Sequence, residues 1–297
     1  MKTAKLLHNP KAGEGKYEKK ELTEMIESKG YKCIYTSTKK DSWDNIEPEV
    51  DFIIIAGGDG TIRKVVTKLL NRRIMDKQYP LAILPLGTAN NISKSLNITG
   101  NTGEIIESWS TCKMKNFDIG RISGIEDHSF FLEGFGFGLF PNLMNRMKKD
   151  PKESEEPNEK LARAIELIEE IAREYKAREC TLELDGIDHS GKFLLVEVMN
   201  TATIGPNLNL NPSADPGDGE LEVIIIPEAQ REKFIDHLKT NMGGKSNSSS
   251  FSALKARDIK IVWEGIHAHV DDEIIKGINQ IAASIELRQH VIKFLIP

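Results

Sequence analysis

Short apolar runs separated by helical periods mark the first third of the chain. Four runs rich in aliphatic and aromatic residues predict strands at 4–7, 31–35, 52–56 and 81–84. The third and fourth runs are almost wholly aliphatic, which is typical of central parallel strands that are buried on both faces. Helical spacing of apolar residues follows near 20–29, at 62–70 and from 92 onward. Strands that alternate with helices in this way predict an α/β domain with a parallel sheet.

After residue 116 the pattern changes to alternating strands separated by Gly, Asp and Asn turns, which predicts a β-rich second domain. One long helix interrupts it, with Asn158 as the expected N-cap, an apolar stripe from Leu161 to Tyr175 and an end near Arg178. The Gly- and Ser-rich run 243–250 predicts a loop. A last strand at 291–296 fits either domain. The other strands are expected at 117–122, 130–135, 181–185, 192–199, 220–226 and 259–262.

Composition and charge narrow the function classes. Forty Lys and Arg residues against 45 Asp and Glu residues leave a net charge of -5, which does not provide the basic surface that a nucleic-acid partner requires. The apolar runs are far shorter than the roughly 18 to 20 residues of a membrane-spanning helix. Three widely spaced cysteines favour neither a disulfide framework nor a Cys-x-x-Cys metal site, and we interpret them as reduced packing residues. A folded cytoplasmic protein is expected.

Three loops carry candidate chemistry. The strand at 52–56 leads into Gly-Gly-Asp-Gly-Thr at 57–61 and then into a helix. Glycines let a phosphate approach the backbone, the helix start adds partial positive charge, and Asp59 can hold a cation such as Mg²⁺. Similar loops follow the first strand at 9–15 and the fourth at 85–91. Because ligands bind at the carboxyl edge of an open α/β sheet, the three loops predict a site for nucleotide phosphates.

These motifs resemble a known family. Asn-Pro-x-x-Gly at 9–13, Gly-Gly-Asp-Gly-Thr at 57–61 and Pro-Leu-Gly-Thr-x-Asn at 85–90 are similar to the catalytic domain of the diacylglycerol kinase and sphingosine kinase superfamily, particularly its bacterial lipid kinases. The segment 211–222 resembles the family's P-x-A-x-x-x-D-G-x-[LF] motif. Asp-Asp-Glu at 271–273 resembles its late D-G-E motif. The resemblance covers nearly the whole chain.

The resemblance implies a nucleotide-binding α/β domain of the 6-phosphofructokinase and NAD kinase type plus a β-sandwich domain. The first would comprise residues 1–116 and 286–297 and the second residues 117–285, with the active site in the cleft between them. The implied activity is an ATP-dependent lipid kinase that transfers the γ-phosphate to a hydroxyl of a diacylglycerol-like or sphingoid-like acceptor. The implied nucleotide-binding residues are Asn9, Gly13, Thr36, Gly57, Gly58, Gly60, Thr61, Gly87 and Thr88.

Two carboxylates and one acidic turn receive further roles from the resemblance. Asp59 would act through Mg²⁺ on the nucleotide, and Glu273 would be the catalytic base, although its own surroundings in the sequence favour a solvated acidic turn. Asp215, Asp218 and Glu220 have the spacing of oxygen ligands, and an ordinary Asp-Gly hairpin turn explains them equally well. The resemblance adds a structural Mg²⁺ at these three residues, with Asp118 reached through water.

Some residues depart from the family pattern and leave alternatives open. Asn91 stands where the family commonly has Asp, Asp272 where it has Gly, and the Gly-rich triplet after Asn200 is reduced to Ile-Gly-Pro at 204–206. These departures concern the lipid acceptor more than the nucleotide. An NAD kinase shares Gly-Gly-Asp-Gly-Thr, and a non-catalytic nucleotide- or lipid-binding relative is the third interpretation. The oligomeric state stays open, a homodimer included.

Three further features are interpreted without the family. His267 and His269 share a strand face, but no third ligand accompanies them, which disfavours a zinc site. Gly-Phe-Gly-Phe-Gly at 134–138 is interpreted as a turn in a β-strand. Ten Lys against five Glu in residues 1–40 predict a basic face that docks transiently at the inner face of the membrane, through Lys16, Lys19 and Lys20.

Overall fold

The computed structural model describes residues 1–15, 17–72, 76–149, 156–205, 207–242, 253–277 and 279–297. Lys16, Pro206 and the predicted loop at 243–250 therefore lie outside the described residues. Contacts within the described chain define two compact units. The first comprises Met1–Phe117 and His290–Pro297, and the second comprises Asp118–Gln289.

The first unit is built on a parallel sheet, as the sequence pattern predicts. Its elements are β1 (Thr3–His8), α1 (Lys19–Ser28), β2 (Lys32–Ser37), β3 (Phe52–Gly57), α2 (Asp59–Leu70), β4 (Leu81–Pro85), α3 (Asn91–Ser95), α4 (Thr102–Ser108) and the start of β5 (Lys113–Ser123). Its strands stand in the order β2-β1-β3-β4, and Phe294 near the chain end pairs in parallel with Leu81 of β4.

Burial explains why the apolar pattern of the sequence predicts these strands. Ile53, Ile54 and Ile55 of β3 are completely buried, because helices cover both faces of a parallel sheet. On α2, Ile62, Val65 and Val66 face the core at the predicted helical spacing. The helix predicted from residue 92 is α3, which has five residues, and α4 had not been predicted.

The second unit is an antiparallel, β-rich unit with helices on one side. Its elements are β6 (Phe130–Phe131), β7 (Gly134–Gly138), α5 (Leu139–Lys149), α6 (Pro157–Glu174), β8 (Arg178–Leu184), β9 (Ile187–Asp188), β10 (Gly191–Met199), β11 (Thr203–Ile204), β12 (Leu208–Asn209), β13 (Leu221–Pro227), α7 (Arg231–Met242), β14 (Leu254–Ala256), β15 (Asp258–Trp263), β16 (His267–Val270), β17 (Glu273–Lys276) and β18 (Ile281–Ile296). The central strands follow the order β17-β16-β7-β10-β8-β15-β18, and β13 pairs with both β10 and β14.

Two hydrophobic clusters form the core of this unit. One lies among the strands and contains Phe135, Phe137 and Trp263. The other joins the opposite strand face to the helices α5, α6 and α7, with Leu195 of β10 and Phe234 of α7 among its members. The overall class, an α/β domain followed by a β-sandwich domain, is the class expected from the sequence.

Several local predictions were wrong. The long helix α6 begins at Pro157 with Glu156 as its N-cap, because Pro favours the first helical position and Glu156 and Glu159 form a capping box. Asn158 is therefore inside the helix. The helix ends at Glu174, and Arg178 already starts β8. The run 134–138 is a strand, β7, and does not turn the chain.

The cysteines and helices agree with two expectations from composition. Cys33, Cys112 and Cys180 are free thiols, and burial raises the pKa of Cys180 to about 12. None of the helices in the described part of the chain combines the length and apolar character of a bilayer-spanning helix.

Candidate functional site

Three loops of the first unit contact one another at the carboxyl ends of β1, β3 and β4. The Asn9 amide N–H donates to the Ala56 carbonyl at 2.9 Å, and Asn9 Nδ2 donates to Thr61 Oγ1 at 3.2 Å. The Leu86 N–H donates to the Gly57 carbonyl at 3.1 Å. These hydrogen bonds connect the first loop to the second and the second to the third. The structure therefore brings together the loops that the sequence predicted to meet.

Glycines stand where these loops approach most closely. A Cβ atom on Gly87 would overlap the Gly58 backbone, and a Cβ on Gly58 would lie 2.9 Å from Gly87 Cα. Gly13 has a φ of +59°, and a Cβ there would lie 2.9 Å from the Leu86 carbonyl oxygen. A Cβ on Gly57 would overlap the Thr61 side chain. Loop packing alone therefore requires these glycines, whatever ligand the loops bind.

Asp59 fastens the second loop to the third. It is the first residue of α2, and its Oδ2 accepts the Asn91 N–H at 3.0 Å while its Oδ1 accepts the Ile92 N–H at 3.1 Å. Both donors belong to the first turn of α3, where backbone N–H groups have no partner within the helix. The carboxylate therefore holds the start of α3 against the start of α2.

Asn90 holds the third loop in its shape. Its φ is +53°, a left-handed conformation that Asn tolerates better than most residues. Its Oδ1 accepts the Gly87 N–H at 2.9 Å, and its Nδ2 donates to the carbonyls of Pro85 and Gly87. The loop motif at 85–90 includes Asn90 but did not predict that its side chain holds the loop in shape. An Asn directly before a helix, three residues after a Gly, is the signal that could have found it.

The remaining predicted nucleotide residues lie around this contact. Thr88 is exposed on the third loop, and the first turn of α2 contains the exposed Gly60 and the buried Thr61. Thr36 lies farther along the sheet edge, half-buried in β2 and opposite Leu7 of β1. Asn91, the departure from the family pattern, is 1% exposed and supplies its N–H to Asp59.

Glu273 lies in the second unit at the start of β17, directly after the turn that joins β16 to β17. Its side chain is 57% exposed, and its Oε2 lies 3.7 Å from His128 Nε2. The turn has a positive φ at Asp271 (+50°) and none at Asp272. Because only the first turn position requires a left-handed conformation, Asp at 272 in place of the family's Gly is compatible with the same turn.

The side chain of Asp271 is bound to the backbone. Its Oδ1 lies 3.1 Å from the N–H nitrogen of Leu132, 2.8 Å from that of Glu133 and 3.2 Å from that of Gly134. Its own N–H donates to the Gly134 carbonyl at 2.8 Å. The residue two positions before Glu273 is therefore fixed by both its main chain and its side chain.

Two of the predicted structural metal ligands, Asp218 and Glu220, contact a lysine. Lys255 Nζ lies 3.0 Å from Asp218 Oδ2 and 2.8 Å from Glu220 Oε2, and these hydrogen bonds raise the pKa of Lys255. Asp215 Oδ1 accepts the Gly217 N–H at 3.0 Å. Asp118 is completely buried, and its Oδ2 accepts the Gly219 N–H at 3.0 Å.

In the part of the chain that the structure describes, no group of three or more His, Cys, Asp or Glu side chains is arranged to hold a metal ion. The carboxylates at 218 and 220 have the oxygen donors that Mg²⁺ prefers, but the single positive charge of Lys255 offsets part of their negative charge. Glu222 is buried close by with neither carboxylate oxygen hydrogen-bonded, and burial raises its pKa to about 7. Nothing in the sequence pattern distinguished Glu222 from its neighbours.

Comparison with known families agrees with the two units. Residues 3–122 match the diacylglycerol kinase catalytic domain, and residues 145–291 match the YegS C-terminal NAD kinase beta sandwich-like domain. The diacylglycerol kinase of Bacillus subtilis (strain 168) is 25% identical over 287 residues, which cover 92% of this chain and 90% of that protein. The crystal structure of a diacylglycerol kinase from Bacillus anthracis str. Sterne shares the fold, with a TM-score of 0.74 and 22% identity over 100% of this chain and 97% of the other.

The fold and the two matched domains define a kinase with an α/β catalytic domain and a β-sandwich domain. The chain thus contains both matched domains and is similar to proteins named diacylglycerol kinase. The resemblance that the loop motifs and the late acidic motif indicated is thereby confirmed.

The contact between Gly58 and Gly87 generates a first prediction. Replacement of Gly87 by Ala forces the second and third loops apart, and we expect the free energy of unfolding to fall by about 2 kcal/mol, as for other overpacked sites. Urea denaturation measures this difference. The matched control is Thr88→Ala at the exposed neighbouring position, for which a change within about 0.5 kcal/mol is expected. Equal stability of the two variants would contradict the close packing of these loops.

Proposed function

We propose that this enzyme transfers the γ-phosphate of ATP to a hydroxyl group of a lipid acceptor, diacylglycerol-like or sphingoid-like. The observation that carries the proposal is the contact of three glycine-rich loops at the carboxyl edge of a parallel sheet, with the start of α2 among them. Such an edge is where nucleotides bind in open α/β sheets. Similarity to the diacylglycerol kinases supports phosphoryl transfer in general, and the nucleotide, the acceptor and Mg²⁺ are the proposed part.

The three loops are proposed to bind the nucleotide phosphates. The first N–H groups of α2 have no partner within the helix, and the helix dipole favours negative charge at this end. Asp59 offers carboxylate oxygens, the type of donor that Mg²⁺ prefers, and a bound Mg²⁺ would neutralise the phosphate charge. The residues assigned to the nucleotide are Asn9, Gly13, Thr36, Gly57, Gly58, Gly60, Thr61, Gly87 and Thr88.

Glu273 is proposed to take the proton of the acceptor hydroxyl. Its carboxylate is more than half exposed, and no hydrogen bond to it occurs among the described residues. A general base needs such an unoccupied lone pair. His128 Nε2 lies 3.7 Å from Glu273 Oε2.

Substitution of the two proposed catalytic carboxylates tests this assignment. Asp59→Asn and Glu273→Gln should each lower kcat by at least about 100-fold, the usual effect of losing a proton acceptor or a phosphate-bound cation. The measurement is transfer of labelled phosphate from ATP to diacylglycerol, a sphingoid base and NAD. Asp272→Asn, at the exposed turn position beside Glu273, is the matched control and should keep the wild-type rate.

Each alternative function has its own result in this assay. Wild-type rates in Glu273→Gln would remove Glu273 as the base. Phosphorylation of NAD without any lipid product would identify an NAD kinase. Nucleotide binding without phosphorylation of any acceptor would indicate a non-catalytic relative.

A structural Mg²⁺ in the second unit is proposed in competition with Lys255. Asp218 and Glu220 offer oxygen donors, and both are bound to this lysine in the structure. Mg²⁺ would have to displace the ammonium group from both carboxylates. The proposed ligands are Asp215, Asp218 and Glu220, with Asp118 reached through water.

Thermal unfolding with and without Mg²⁺ tests this competition. Ion binding to the folded state adds to its stability, so Mg²⁺ should raise the unfolding temperature of the wild type. The rise should be larger in Lys255→Met, which frees both carboxylates, and absent in Asp218→Ala. If Mg²⁺ has the same effect on all three proteins, the proposed site does not exist.

Contact with a membrane surface is the last part of the proposal. Lys20 is 82% exposed and lies 3.8 Å from Glu24, and Lys19 Nζ lies 5.1 Å from the centre of the Tyr35 ring. Lys16 lies outside the described residues. An acceptor with acyl chains resides in a bilayer, and exposed lysines attract anionic lipid by about 1 kcal/mol each.

Co-sedimentation with vesicles tests the basic face. The wild type should bind vesicles that contain anionic lipid, and added salt should weaken binding because it screens surface charge. Substitution of Lys16, Lys19 and Lys20 by Glu should weaken vesicle binding by roughly tenfold or more. The same substitution at Lys176, Lys192 and Lys260 is the control. Equal loss in both triple variants would mean that net charge, and not this face, governs binding.

A further inference from the structure

Three residues form a row across neighbouring strands of the second unit. Gly136 of β7 pairs with Glu197 of β10 on one side and with His269 of β16 on the other. Neighbouring strands are about 4.8 Å apart, so the backbones at 197 and 269 are separated by roughly 10 Å. Because Gly136 has no side chain, the outer two side chains meet above it. His269 Nε2 lies 3.0 Å from both carboxylate oxygens of Glu197.

The glycines of β7 make this contact sterically feasible. A Cβ on Gly136 would overlap the Glu197 carboxylate, and a Cβ on Gly134 would lie 2.9 Å from Glu197 Oε1. Phe135 and Phe137, which alternate with these glycines, face the opposite side and belong to the core among the strands. The Gly-Phe-Gly-Phe-Gly sequence therefore gives β7 two different faces. The glycine face leaves space for the Glu197–His269 pair, and the phenylalanine face packs in the core.

Stability alone does not account for this pair. Glu197 is completely buried and His269 is 2% exposed. Burial raises the pKa of Glu197. For His269, burial lowers the pKa, but Glu197 and Asp271 together outweigh it and the net shift is upward. Transfer of two such groups out of water costs several kcal/mol, and well-packed apolar side chains are often at least as stable in their place. The arrangement therefore calls for a role beyond packing.

The other ring nitrogen connects the pair to the turn before Glu273. His269 Nδ1 lies 3.0 Å from the carbonyl oxygen of Asp271. A carbonyl oxygen only accepts, so Nδ1 carries a hydrogen and donates it. Nε2 then shares one further proton with Glu197, whichever of the two holds it. Asp271 is the residue with the left-handed backbone that sets the direction of the chain into Glu273.

We propose that Glu197 and His269 are positioning residues for Glu273, which they align by holding the Asp271 carbonyl from the buried side of the sheet. The inference rests on the proposed role of Glu273 as the catalytic base. Glu273 has few contacts of its own, with its carboxylate more than half exposed and 3.7 Å from His128. Its direction therefore depends on the backbone of the turn, which His269 and the Asp271 carboxylate fix.

Two substitutions of His269 separate its two hydrogen bonds. The Asn side-chain nitrogen is two bonds from Cβ, as Nδ1 is, whereas the Gln side-chain nitrogen is three bonds away, as Nε2 is. His269→Asn therefore keeps the donor to Asp271, and His269→Gln keeps the contact with residue 197. Both are made together with Glu197→Gln, so that no unpaired charge remains buried.

We expect kcat to fall about 100-fold in the Gln variant, the size of effect that a 1 Å misplacement of a catalytic group produces. In the Asn variant kcat should fall by less than about tenfold, and KM for ATP should stay unchanged in both. Equal kcat values in the two variants would overturn the proposal. His237→Gln is the control, since His237 is a buried histidine of α7 with a contact to the Asn209 carbonyl, and it should lower only the unfolding temperature.

A double-mutant cycle with Glu273→Gln distinguishes this inference from the proposed function. If His269 acts through Glu273, His269→Gln should cause no further loss of kcat in the Glu273→Gln background. A full additional loss there would contradict the inference and leave the role of Glu273 intact. Wild-type activity in Glu273→Gln alone would instead remove the proposed base.

A measurement on the wild type does not depend on the folding of any variant. Nitrogen NMR of histidine-labelled protein reports which ring nitrogen carries hydrogen. A protonated Nδ1 at His269 throughout neutral pH supports the bond to the Asp271 carbonyl. A bare Nδ1 would exclude that bond and with it the proposal.

Discussion

The candidate site of the first unit depends on the close contact between the Gly58 and Gly87 backbones. Where two loops meet with no side chain between them, the hydrogen bonds of Asn9, Asp59 and Leu86 can span the gap at ordinary lengths. Any Cβ at 87 would separate the start of α2 from the start of α3, and the Asp59 carboxylate would no longer reach the N–H groups of α3. The glycines therefore act first on the loops themselves, and the proposed phosphate site would be a consequence of the backbone N–H groups that this contact gathers.

A glycine also permits a close contact in the second unit, but there the contact joins side chains. Gly136 is placed between two strands so that side chains, and not backbones, meet across it. The loops of the first unit use missing side chains to bring main-chain N–H groups together. In both units, glycine permits a contact between segments that are distant in sequence. The glycine motifs are therefore easier to recognise in the sequence than the residues that make the contacts.

The parts of the fold that the sequence predicted are those that depend on local pattern. β3 and β4 are apolar because both faces are buried, and the spacing of Ile62, Val65 and Val66 follows from a helix packed on that sheet. The position of α6 was wrong by a few residues, because Pro157 and the Glu156–Glu159 capping box compete with Asn158 for the helix start. The Glu197–His269 contact joins residues 72 positions apart and leaves no periodic signal, apart from a single acidic residue in an otherwise apolar strand.

The three motif carboxylates differ in what their oxygens already bind, and this difference orders their roles. Asp271 accepts N–H groups from three consecutive residues, so its lone pairs are used to hold the turn. Asp59 accepts one N–H group on each oxygen, and carboxylate oxygens of this kind suit a hard cation. Glu273 is the one of the three without a backbone donor among the described residues, and its carboxylate is more than half exposed. A residue with the role proposed for Glu273 must accept a proton from an incoming hydroxyl, and it needs an accessible carboxylate to do so. It also needs neighbouring groups that fix its direction, and the buried, hydrogen-bonded His269 would supply this to the exposed Glu273.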